Sequence, residues 1–137
     1  MTSLFADTSA LYAAADRREE SHDSCRLAYE QALRAGETIV TTEFVVAELH
    51  ALAVRRSYPD AALEIVRRLT TTGRIDVETV GPARLANAID LLAARPDRRY
   101  SLADAVSFVV MRERGIHRVL TLDADFAAEG FQVLPVA

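Results

Sequence analysis

Ser101–Phe126 reads SLADAVSFVVMRERGIHRVLTLDADF, and this stretch decides the fold. Leu102, Val106, Val109 and Val110 recur at the spacing of one buried helical stripe. Only Gly115-Ile116-His117 separates that helix from the strand candidate Arg118–Leu122. A helix entering a parallel strand so abruptly must run antiparallel to it, as in an α/β unit. Its N-terminus, with Asp104, then lies at the carboxyl end of the strand. Asp104 stands out because no Lys or Arg lies between Ser101 and Met111. Ser101-Leu-Ala-Asp104 also fits a capping box, although Glu or Gln is the commoner third residue. Ser101 can cap the helix whichever role Asp104 plays.

Four further strand candidates are Ser3–Ala6, Thr38–Thr41, Ile75–Thr79 and Gln132–Leu134. Helical stretches alternate with them: Ser9–Asp16, Glu20–Ala35, Glu43–Arg56, Pro59–Thr72, Pro82–Arg95, Leu102–Arg114 and a short Asp125–Glu129. Glycines follow several of these stretches, where a left-handed cap is wanted, and Pro59 and Pro82 stand where helices begin. The longest polar break, RPDRRY at Arg95–Tyr100, reads as a loop. Strands alternating with helices predict one α/β domain over residues 1–137, with a mainly parallel five-stranded sheet.

Half of the residues are hydrophobic, enough for a real core, and no apolar run approaches the ~20 residues of a membrane span. The N-terminus lacks the basic and apolar regions of a signal peptide. Cys25 is the single cysteine, which fits a reducing cytoplasm. The net charge of −4 argues against a generic nucleic-acid coat. All sixteen basic residues are arginine, several of them paired. Arginine suits bidentate phosphate contacts, and a GC-rich genome accounts for the bias as well.

Parallel sheets place ligands at the carboxyl ends of their strands. Asp7 directly follows the first strand candidate, and Asp123 the fourth. Glu48 lies in the helix after the second, and Asp104 is set at the same edge. Each has an ordinary alternative. Asp7 could cap a helix, but Thr8 and Ser9 could cap it equally well. Glu48 could be a solvated surface residue, yet Phe44, Val45, Leu49 and Leu52 lie near its face. Asp123 or Asp125 could cap the short helix after it, and Thr121 could hydrogen-bond to either. Together the four acids would repel one another without a cation. Oxygen-only ligands select hard ions such as Mg²⁺ or Mn²⁺. Two such ions would bring the formal charge from −4 to about zero and ease the approach of a phosphate backbone.

Other chemistries are poorly served. His22, His50 and His117 lack zinc-like spacing, and Cys25 has no evident base. There is no P-loop, GxGxxG or GxSxG. A phospho-accepting signalling module would need a lysine, and the chain has none. An aspartyl phosphatase would need DxD after the first strand, where the sequence reads Asp7-Thr8-Ser9.

LFADTSAL, TEFVVAEL, YSLADAVSFVVMRERGI and VLTLDADF, in this order, resemble the PIN-domain family, and more closely the VapC toxins of bacterial VapBC toxin–antitoxin pairs. The resemblance covers nearly the whole chain. It implies a three-layer α/β/α sandwich and a cytoplasmic Mg²⁺-dependent endoribonuclease, with Mn²⁺ able to substitute. It carries active-site and metal-binding roles onto Asp7, Glu48 and Asp104. Asp123 matches the fourth acid best, with Asp125 as support or alternate ligand. Thr8 or Ser9 would orient Asp7 or a water. The substrate class is RNA (tRNA, rRNA or mRNA), hydrolysed by in-line attack of water. A homodimer is implied, as is a VapB-type antitoxin that blocks the acidic pocket, commonly through an inserted arginine. A housekeeping RNA-processing nuclease of the same family is the alternative. The apolar faces of Arg26–Ala35 and Ala61–Leu69 are candidate contact surfaces, or simply core.

Overall fold

A computed structural model describes residues 2–136. Strand β1 (Ser3–Ala6) is apolar in consecutive positions, with Leu4, Phe5 and Ala6 wholly buried. Such a strand belongs in the middle of a sheet covered on both faces. It pairs in parallel with β2 (Thr38–Thr42) on one side and β4 (Arg118–Leu120) on the other. The edges are β3 (Ile75–Glu78) and β5 (Gln132–Leu134), giving a fully parallel sheet in the order β3-β2-β1-β4-β5.

Helices α1 (Thr8–Ala15) and α2 (His22–Arg34) connect β1 to β2. Helices α3 (Glu43–Arg56) and α4 (Pro59–Thr71) connect β2 to β3. Helices α5 (Gly81–Ala93) and α6 (Leu102–Glu113) cross back to β4, and the short α7 (Asp125–Ala128) leads to β5. Right-handed crossovers place helices on opposite faces when the chain reverses its direction across the sheet. The outcome is the three-layer α/β/α sandwich expected. The reversal falls between β1 and β4, so the connections leaving their carboxyl ends run to opposite faces and leave a crevice. Among the described residues, no helix is long and apolar enough to cross a membrane.

Helix α6 is buried far beyond the stripe expected of it. Val106 and Val110 are buried as anticipated, but so are Ala103, Ala105, Ser107, Phe108 and Met111. Leu102, expected on the stripe, is 37% exposed in the first turn. Phe108 meets Tyr100 and Phe126 edge-on at centroid distances of 5.1 and 4.9 Å and lies over Phe131 at 5.8 Å. Gly115, at φ 65°, reverses the chain after α6, and the Ile116 amide donates to the Met111 carbonyl at 2.8 Å. The helix is thus clamped at both ends before the chain enters β4.

Of the boundaries that differ from expectation, two have visible reasons. Strand β4 stops at Leu120 rather than Leu122. The amides of Leu122 and Asp123 turn instead to the hydroxyls of Ser9 (2.9 Å) and Thr121 (3.0 Å). Helix α2 begins at His22 rather than Glu20. Asp16 draws the preceding segment into a turn by accepting from the Arg18 amide at 2.9 Å and from its guanidinium.

The loop before α6 hangs on Glu129. Its side chain is only 4% exposed and accepts from Tyr100 Oη at 2.8 Å, Arg95 Nε at 3.0 Å and Arg112 Nη2 at 3.0 Å. Tyr100 immediately precedes the residue that caps α6, so this hub fixes where the helix starts.

Candidate active site at the carboxyl edge of the sheet

Asp7 is the first residue past β1 and is 5% exposed. Its amide completes the sheet by donating to the Leu120 carbonyl at 2.9 Å. Its carboxylate makes no cap on α1. Instead, Oδ2 accepts from Thr121 Oγ1 at 2.8 Å, with Ser9 Oγ 3.3 Å away. Each Ser or Thr hydroxyl has one proton to give. The Thr121 proton goes to Asp7, while its oxygen accepts the Asp123 amide. Ser9 lies 3.2 Å from the Thr121 hydroxyl and accepts the Leu122 amide. Thr121 therefore serves Asp7 and not the side chain of either aspartate that follows it.

Glu48 is half-buried on α3, whose start is capped by Thr42 accepting the Val45 amide at 3.2 Å. Thr8 Oγ1 donates to Glu48 Oε1 at 3.0 Å. Thr8 and Ser9 thus divide their work: one orients Glu48, the other Asp7.

Asp104 takes both of its readings. Ser101 Oγ accepts the Asp104 amide, and Asp104 Oδ2 accepts the Ser101 amide, each at 3.0 Å, closing a full capping box. That leaves Oδ1 outside the box. Asp123 is similar: Oδ1 accepts the Asp125 amide at 2.9 Å, and Oδ2 is left over.

Asp7, Glu48, Asp104 and Asp123 line one cleft of about 370 Å³ with Thr8, Ser9 and Ser101. Asp125 does not line it. Asp125 instead joins Asp104 and Asp123 in a trio whose carboxylate oxygens lie within 4.8 Å of one another. Arg55 also lines the cleft and was not foreseen. Its signal was its spacing: seven residues after Glu48 is two helical turns, hence the same face.

Electrostatics reflect the crowding. Burial, followed by the charges of Asp104 and Glu48, pushes the Asp7 carboxyl up to about 6, against hydrogen bonds from the Thr121 hydroxyl and the Thr8 backbone amide that hold it down. Asp104 is raised by burial and by the charges of Asp123 and Glu48. Asp125 is raised by burial and by Asp123. Concentrated carboxylates with hard oxygen donors fit a divalent cation, which would remove the cost that raises these values.

A second depression, of about 830 Å³, opens between α2 and α4. Leu11, Tyr29, Leu33, Ile65 and Leu69 form its apolar floor, and Arg17, Arg26 and Arg68 are among its rim residues. The two faces singled out in the sequence, on Arg26–Ala35 and Ala61–Leu69, are its walls. Helix α1 borders both features: Thr8 and Ser9 face the cleft, Leu11 and Tyr12 the groove.

Known proteins share the family and the fold. The family model for the PIN domain matches residues 4–131. The 23S rRNA-specific endonuclease VapC20 of Mycobacterium tuberculosis is 30% identical over 129 residues, covering 93% of this chain and 95% of that protein. Ribonuclease VapC26 of the same organism is 30% identical over 120 residues, covering 88% and 86%. The crystal structure of VapC20, described as a sarcin-ricin loop cleaving toxin, superposes with a TM-score of 0.83 at 29% identity, covering 94% of this chain and 96% of that one. The DNA-bound VapBC of Salmonella typhimurium shares the fold, with a TM-score of 0.68 at 16% identity over 97% of each chain.

Proposed function

This chain belongs to the PIN-domain family, and from that premise we propose that it is a Mg²⁺- or Mn²⁺-dependent endoribonuclease, the toxin of a VapBC-type pair. One observation carries the reading: Asp7, Glu48, Asp104 and Asp123, from four separate parts of the sequence, surround one cleft where the strand order reverses.

Asp7 and the open oxygen of Asp104 would hold the ion, with Glu48, Asp123 and Asp125 completing its surroundings. A bound Mg²⁺ supplies Lewis-acid activation of water and neutralises charge on the scissile phosphate. The chain's own contribution is positioning. Thr121 and Ser9 fix the Asp7 carboxylate, and the capping box fixes Asp104. Thr8 holds one oxygen of Glu48, leaving the other to take a proton from the attacking water.

The test is cleavage of total cellular RNA with Mg²⁺, Mn²⁺ or EDTA, followed by end mapping. We expect discrete fragments with either ion and none in EDTA. Cleavage that survives chelation overturns the metal-dependent reading. The 23S rRNA, on which the relative VapC20 is named as acting, is the first RNA to examine.

Thr121→Val tests the positioning network. Its hydroxyl is the shortest hydrogen bond to Asp7, and partners of ion ligands are typically worth about 10–100-fold in ion affinity or activity. We expect a loss of that size, with the Asp7 carboxyl titrating higher than in the wild type. An NMR titration of the carboxylate, run beside cleavage rates, separates this from general damage.

The antitoxin would seat an apolar helix in the groove between α2 and α4. Helix α1 forms a shared wall, so one partner segment could fill the groove and also reach the acidic cleft. We assign the toxin a homodimeric state, which light scattering on the isolated chain measures.

A further inference from the structure

Eleven of the sixteen arginines are already engaged within the chain. Ten pair with carboxylates, and Arg74 donates to the Leu33 carbonyl. Among the described residues, Arg17, Arg55, Arg67, Arg98 and Arg99 form no ion pair. Of these five, Arg55 alone lines the acidic cleft.

Its position on α3 is specific. Glu48, Ala51, Leu52 and Arg55 all line the cleft, at i, i+3, i+4 and i+7 of one helical face. The acid and the base are therefore about 10 Å apart along the helix axis. Ala51 and Leu52 between them offer no competing charge. Glu48 accepts from Thr8, deeper in the site, whereas Arg55 is exposed and reaches no carboxylate within ion-pairing distance. An arginine beside four carboxylates would ordinarily be drawn onto one of them. Here the helix holds it two turns away, with its five donors free.

A cleft of this charge repels the polyanion that its chemistry would act on. A fork of N–H donors at the rim meets that difficulty directly, because guanidinium binds phosphate oxygens bidentately. Resting on the nuclease reading above, we infer that Arg55 is a substrate-contact residue, gripping an RNA backbone phosphate at the rim of the acidic cleft and so setting the strand across it.

The experiment measures binding of a fluorescein-labelled single-stranded RNA across a salt series, in the Asp7→Asn background so that RNA is not consumed. Cleavage rates are measured with Asp7 intact. Arg55→Ala is expected to weaken binding about tenfold and to flatten the salt dependence by about 0.7 in log–log slope, one phosphate contact on a single strand. It should raise KM more than it lowers kcat and leave thermal unfolding unchanged. Arg55→Lys should recover part of the loss. Arg67→Ala, on the outer surface of α4, removes the same charge elsewhere and is the control. An Arg55→Ala protein that matches Arg67→Ala in affinity, slope and KM overturns the assignment while leaving the nuclease reading in place. A wild-type chain that neither binds nor cleaves RNA overturns both.

Discussion

The Asp7→Asn protein is expected to lose RNA cleavage and yet, with divalent ions chelated at neutral pH, to unfold at a higher temperature than the wild type. Under the proposed mechanism, the loss follows from the ion that Asp7 would hold. Its contribution to phosphodiester hydrolysis is several kcal/mol, on the order of a thousandfold in rate. The gain follows from burial. Asp7 has its carboxyl raised from 3.8 to about 6 in the folded chain. A raised carboxyl means that the folded state prefers the proton. Its ionisation therefore destabilises the fold as pH rises through that window, fully so above pH 6 and not at all below pH 3.8. The gap corresponds to at most about 3 kcal/mol. Asparagine removes that cost and still offers an oxygen to the Thr121 hydroxyl. Thermal unfolding in EDTA at pH 7 and at pH 4 checks both halves, since the variant's advantage should vanish at the lower pH. Added Mg²⁺ should stabilise the wild type and not the variant. A variant less stable than the wild type at pH 7 in EDTA would contradict the electrostatic account.

Glu129→Ala is expected to cost about 3 kcal/mol of stability, the lower end for breaking a buried ion pair. The lower end applies because Arg95 and Arg112 are partly exposed and can return to water. Burial alone would raise the Glu129 carboxyl, but hydrogen bonds from Arg95, Arg112 and Tyr100 outweigh it and hold the group at about 2. This sign is opposite to that of Asp7. The stabilisation is complete above the ordinary value of 4.5 and is lost as pH falls from there toward 2. Asp7 gains stability on acidification from pH 6 and Glu129 loses it below 4.5, so these two groups alone set an optimum near about pH 4 in the ion-free protein, between the ordinary values of 3.8 and 4.5. Mg²⁺ should move that optimum upward. Because Tyr100 borders the cap of α6, Glu129→Ala should also lower cleavage at temperatures where it remains folded. Urea unfolding measures the first effect, and a loss below about 1 kcal/mol would show that the hub is not structural.

The alternation of strands and helices, and the abrupt passage from α6 into β4, were legible because they depend on local period and turn chemistry. The four acids of the cleft were legible for a related reason: strand ends in a parallel sheet converge wherever they lie in sequence. What local pattern does not carry are partners distant in the chain. Thr121 was read beside Asp123 and Asp125, its neighbours, whereas its hydroxyl serves Asp7, 114 positions away. Glu129 read as the end of a short helix because its partners lie 17 to 34 residues upstream. Leu102 matched the apolar period of α6, but at the first position of the helix it stays partly exposed while Ala103 and Ala105 of the same turn are buried. Arg55 was legible in principle from its helical spacing to Glu48. It was passed over because arginine is everywhere in this chain.

The adjacency of β1 and β4 has a consequence for the order of synthesis. Asp7 is made 114 residues before Thr121, which anchors it, and Asp123 of the same cleft follows later still. A chain translated only as far as α5 cannot assemble the cleft, since Ser101, Asp104 and Asp123 have yet to be made. If this protein cleaves RNA, it cannot do so before the segment carrying Thr121 and Asp123 has left the ribosome.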